Sequence, residues 1–81
     1  MEKYIIGIGT KKIIPAIAGK FHFAGIVEFV KKENKEGKIS PSELPFLFKE
    51  VWGKDKDDAL KKLRLAISEK MPDDTKLEFS E

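Results

Sequence analysis

Apolar and polar positions follow two different periods in the last third of the chain. Leu60, Leu63, Ile67 and Met71 recur at i, i+3, i+7 and i+11, which lays one apolar stripe along a helix. Asp55 is placed to cap its start, with Asp58 three residues on as a partial capping box. Asp57 and Asp58 put negative charge at the positive end of the helix dipole. Pro72 cannot continue the hydrogen-bond ladder, so the pattern predicts a helix over 55–71. After Asp73-Asp74, Thr75, Leu77 and Phe79 alternate with Lys76, Glu78 and Ser80. That is the period of a strand with one face buried, over 75–80. Leu65 breaks the stripe. At about 100° per residue it points among Lys61, Lys62, Ser68 and Glu69. It is either covered by a loop or exposed, or it contacts a partner.

Earlier segments are less clearly punctuated. Tyr4, Ile5, Ile6 and Ile8 are β-prone, so 3–9 reads as a strand, with Gly7 and Gly9 interrupting one face. Thr10 to Lys12 reads as a turn. Ile13 to Ala18 is a short apolar run broken by Pro15 and closed by Gly19, and it takes no firm assignment. Residues 20–31 fit a strand, and also fit a helical stripe of Phe23, Ile26, Val27 and Val30. Their β-branched and aromatic content favours strand. Lys32 to Lys38 is a polar turn with Asn34 and Gly37. Residues 39–52 stay open as well. Ser40-Pro41-Ser42-Glu43 is a good helix start, yet Pro45 sits late for a first turn, and Phe46, Phe48 and Trp52 could share a strand face.

Eighty-one residues make one domain, 1–81, with a small core that dimerisation would help to stabilise. The chain has no cysteine, so neither a disulfide nor a thiolate contributes. This fits a reducing cytoplasm. No stretch approaches the roughly 20 apolar residues of a membrane span, and the N-terminus lacks signal-peptide order. The net charge is +2 but uneven. Residues 1–32 carry six lysines against two glutamates, and residues 33–81 carry ten basic against twelve acidic groups. A basic front end favours nucleic acid or an acidic partner.

No catalytic or metal motif stands out. Gly7-Ile8-Gly9-Thr10-Lys11 lacks the glycine spacing of a dinucleotide fingerprint or a P-loop. His22 is the single histidine. A zinc site there would need three carboxylates, and a general base would need a carboxylate such as Glu28 in reach. Asp57-Asp58 and Asp73-Asp74 flank the helix and read as capping and turn residues. The Phe21 to Phe29 aromatics lie between Lys20 and Lys31-Lys32, an interleaving that can stack bases on an open sheet or simply fill a core.

Glu28 to Ile67 resembles the HicB-like antitoxin family. The resemblance rests on Glu36-Gly37, on Ser42-Glu43-Leu44-Pro45, and on Gly53-Lys54-Asp55-Lys56-Asp57-Asp58-Ala59-Leu60 at the helix start. Phe46 stands where that pattern has glycine, and Lys54 follows Gly53. The resemblance implies a ββ(β)αβ domain that binds and masks a small basic RNA-cleaving toxin. Gly37 to Leu44 and Thr75 to Glu81 each also resemble the back half of a degenerate EF-hand loop, at a spacing of 38 residues (Ile39 to Leu77). Lysines at the front positions supply no side-chain oxygen for calcium.

These readings converge on an α+β domain, an antiparallel sheet of three to four strands with one main helix packed on one face. The expected function is non-catalytic binding of a partner protein or of a second copy, through Lys61, Lys62, Leu65, Lys76 and Glu78. The alternatives are a nucleic-acid binder using Lys11, Lys12, Lys20, Lys31 and Lys32, and a degenerate EF-hand-like interaction protein. Neither a metal, a small-molecule cofactor nor a membrane is expected as a partner.

Overall fold

The computed structural model describes residues 2–81. Strand β1 runs over Glu2–Ile17 and turns into β2, Phe21–Lys32. Ala18 and Gly19, both with positive φ, occupy the centre of the turn between them. Two such residues give the tight hairpin turn whose twist suits paired strands. The strand expected over 3–9 is therefore much longer, and Thr10 to Lys12 is strand rather than turn. Backbone pairing with Phe23, Ala24 and Gly25 holds this segment extended. Residues 21–32 are strand, as their β-branched and aromatic content favoured.

Residues 39–52 form neither a full helix nor a full strand. Ser40 does find its capping partner, since its backbone N–H donates to the Glu43 carboxylate at 2.8 Å. No α-helix follows, and a single 3-10 turn, Pro45–Phe48, buries Leu47 instead. Strand β3, Val51–Gly53, then joins the sheet edge. Helix α1 spans Lys56–Lys70. The Asp55 side chain accepts from the Asp58 N–H at 2.7 Å, and the Asp58 carboxylate accepts from the Lys54 N–H at 3.0 Å. Reciprocal capping thus fixes the helix start. Strand β4, Thr75–Ser80, follows a turn in which the Thr75 hydroxyl donates to the Pro72 carbonyl.

The sheet order is β3-β2-β1-β4. β1 is antiparallel to β2, and β2 to β3. β4 runs parallel to β1, which corrects the purely antiparallel sheet expected from sequence. The cause is α1, a crossover that returns the chain before it re-enters the sheet. The class is α+β, with one main helix on one face.

Ile6, Ile8, Val27 and Val30 from the sheet meet Leu47, Leu63, Ile67 and Met71 in one core. Close approach of the helix depends on two glycines. A Cβ on Gly25 would fall 2.7 Å from the Ala59 carbonyl oxygen, and one on Gly53 would fall 2.7 Å from Ala59 Cα. Ala59 is fully buried at this contact. α1 packs chiefly over β3 and β2 and less over β1. That leaves the β4 side of the sheet thinly covered.

Candidate functional site

Ile6 and Ile8 face the core, so Gly7 between them faces away from the helix. The opposite side of the sheet therefore carries Lys3, Ile5, Gly7, Gly9 and Lys11 from β1, with Phe29 and Lys31 from β2 by register. From β4 it carries Lys76, Glu78 and Ser80. Among the described residues no second α-helix covers this face. Gly7 lies directly opposite Phe29, and the Phe29 ring occupies the space where a Gly7 side chain would stand. The register shifts just beyond this pair, leaving Glu28 as the extra residue of a β-bulge. Its carboxylate lies over Gly9, 2.8 Å from an ideal Cβ there. Lys38 and Lys31 place their ammonium groups 4.9 and 5.7 Å from the Phe29 ring centroid. Lys3 pairs with Glu78 at 3.6 Å across β1 and β4.

The five residues expected to contact a partner fall on two surfaces. Lys61, Lys62 and Leu65 lie on the outer face of α1, with Leu65 60% exposed. Lys62 is partly tied down, bonding Asp58 at 3.1 Å and the Trp52 carbonyl at 3.4 Å. Lys76 and Glu78 lie beyond the sheet, on its uncovered side. The lysines of the nucleic-acid alternative are divided as well. Lys11 and Lys31 are on the uncovered face, Lys12 and Lys32 alternate to the helix side, and Lys20 sits at the hairpin tip. Lys32 is engaged with Glu2.

His22 is exposed near the hairpin tip, and Glu28 is six residues along the same strand. At about 3.3 Å per residue they stand roughly 20 Å apart, too far to share a proton. Gly7 to Lys11 is mid-strand, so it forms no phosphate loop. The two EF-hand-like segments have no helix–loop–helix around them, and Thr75–Ser80 is β4 itself. Among the described residues no group of three or more His, Cys, Asp or Glu is placed to hold a metal ion. No helix among the described residues is long and apolar enough to cross a membrane. A cleft of about 220 Å³ lies between the 3-10 turn and α1, floored by Leu47, Val51, Leu63 and Ile67. That is below the usual size of ligand pockets.

A second aromatic group lies near the hairpin tip, where β3 pairs with β2. Phe21 and Trp52 have ring centroids 6.1 Å apart, with Lys20 and Lys62 over Phe21 and Lys56 over Phe23. Sequence patterning placed Trp52 on a strand face with Phe46 and Phe48 but gave neither it nor Lys56 a place in a site, because their association depends on the pairing of β2 with β3. Asp58 pairs with Lys62 of this cluster at 3.1 Å, and Trp52 Nε1 donates to Glu50 at 3.4 Å.

Charge pairing also sets an acid response. The Lys54 N–H, then Lys62, hold the Asp58 carboxyl below its ordinary value of 3.8. The hydrogen bond from Lys32, then one from Tyr4, holds Glu2 below 4.5. A depressed folded-state pKa stabilises the fold above the unfolded value, and that contribution is lost as pH falls through the folded value. The melting temperature is therefore expected to drop as pH falls below about 4.5, and the drop should be shallower in Asp58→Asn. Thermal melts of both proteins across that range test this.

No family model, curated protein or solved structure matches the chain.

Proposed function

We propose that this domain is a non-catalytic binding module that docks a protein partner along β4. The observation that supports this is the position of β4. It is the longer of the two edge strands, its inner edge zipped to β1 from Glu2 to Gly7 and its outer edge unpaired. An unpaired strand edge is a template for an added strand. Leu77 and Phe79 stand half-buried on the helix side of that edge, and Lys76 and Glu78 are exposed on the other. An incoming strand would find main-chain hydrogen bonds at the edge, an apolar shelf on one side and one charge of each sign on the other.

The resemblance to HicB-like antitoxins sharpens the partner class. The observed element order, two strands, a short third strand, a helix and a fourth strand, agrees with the order that resemblance implies. Its implied partner is a small basic RNA-cleaving toxin, and the excess of acidic groups in residues 33–81 suits a basic protein. The lack of cysteine suits a cytoplasmic setting. Pairing of β4 with a second copy is the competing use of the same edge.

Affinity co-purification from the native host at low and high salt tests the proposal, with the Lys76→Glu, Glu78→Lys double variant run beside it. A stoichiometric small protein that survives high salt and is depleted with the variant is the expected result. Recovery of nucleic acid alone, or of a protein held equally by the variant, would contradict it.

A further inference from the structure

The geometry points to a single-stranded nucleic-acid site on the uncovered face of the sheet, centred on the Phe29 ring and bordered by Lys76 and Glu78 of β4. The first support is the ring's placement. Gly7 has no side chain, so the ring lies across β1 instead of standing away from the sheet. Phe29 remains only half-buried, and no element of the fold packs over it from outside. Aromatic cover of a cross-strand glycine is also a structural device. What sets this ring apart is the charge around it.

Lys3, Lys11, Lys31, Lys38 and Lys76 share the face with Glu28 and Glu78, and with Glu50, which lines a hollow beside Lys11 at the far end. Glu78 is spent on Lys3. Lys11, Lys31, Lys38 and Lys76 make no ion pair among the described residues. The Lys31 and Lys38 ammonium groups lie over the ring, so a base stacking on Phe29 would displace them onto its flanking phosphates. Lys11 lies six residues along β1 from Ile5, which pairs with Lys31. That extends the positive track by about 20 Å. A solvent-facing ring set in a lysine track is the arrangement that binds single strands without reading sequence. Glu28 lies between Phe29 and Lys11, so the strand would pass beside it. The cluster at Phe21 and Trp52 differs because its Lys62 is already paired with Asp58 and its Trp52 is bonded to Glu50.

Fluorescence anisotropy of labelled oligo(dT) and oligo(U), each about 12 nucleotides long, titrated with the full chain, tests the proposal. Four phosphate contacts at about −0.7 each in the salt slope predict a roughly 50-fold loss of affinity between about 50 and about 200 mM salt. Phe29→Leu should weaken binding about tenfold and leave that slope unchanged. The exposed pair Lys31→Gln, Lys38→Gln should halve the slope, a readout that does not depend on the Phe29 variant folding. Saturable binding of either probe with these responses supports the site, and the tighter probe identifies RNA or DNA as its class. No saturable binding, or binding indifferent to Phe29→Leu in a protein with unchanged circular dichroism, would overturn it. Polyglutamate bound as tightly as the oligonucleotides would instead assign the face to an acidic peptide.

Discussion

Gly53→Ala is expected to lower stability by about 3 kcal/mol, near the top of the usual range for overpacking. The new methyl would stand 2.7 Å from Ala59 Cα and 3.0 Å from Ala59 Cβ. These atoms cannot rotate away as the end of a long side chain could. Relief requires α1 to lift, and lifting it opens contacts around Leu63 and Ile67 as well. A domain of this length holds about 4–12 kcal/mol in total, so the loss is a large share. At about 4–8 °C per kcal/mol, the melting temperature should fall by roughly 12–24 °C. Calorimetry on the purified variant checks this. A change under about 0.5 kcal/mol would mean that the helix does not approach the sheet at Ala59.

The second large effect is expected at Leu63, which is 1% exposed at the centre of the core. Leu63→Ala should cost about 3 kcal/mol, from lost burial and the space left behind. Leu63 also lines the cleft beside the 3-10 turn, so the vacated space joins an opening that water can enter. That moderates the cavity contribution and keeps the expected value in the middle of the 2–5 kcal/mol range for such truncations. Leu65→Ala is the control. It removes the same atoms two residues away on the outer face, where the side chain is 60% exposed, and should change stability by less than about 0.5 kcal/mol. Chemical denaturation of the two variants should separate them clearly. Equal losses would mean that α1 is rotated from the orientation described.

Helix α1 and strand β4 were legible in the sequence because each carries its own punctuation. Asp55 and Pro72 bound the helix, and the alternation from Thr75 to Ser80 belongs to one face of one strand. The long hairpin was not legible. Lys11, Lys12 and Pro15 look like local breakers, yet long-range pairing with β2 keeps that segment extended. The segment from Ser40 to Trp52 resisted assignment because two local preferences compete there. The capping hydrogen bond between Ser40 and Glu43 forms, but burial of Leu47 then takes the chain into a short 3-10 turn.

The candidate surfaces were visible as residues and invisible as groups. Lys76, Glu78 and Lys31 were named from the sequence, whereas Lys38 was not. Its placement over Phe29 follows from the turn after β2. The partnership of Gly7 with Phe29 needs the strand register, which a sequence does not display. Lys61, Lys62 and Leu65 were grouped with Lys76 and Glu78, and the sheet separates the two sets.

The most direct test of a protein partner docked along β4 is hydrogen exchange of the backbone amides, free and in the purified complex. Docking along β4 predicts that amides of Thr75–Ser80 slow by at least about tenfold in the complex, with little change at the hairpin tip around Ala18 and Gly19. Unchanged exchange across β4, with protection confined to the outer face of α1 or to the hairpin tip, would contradict it.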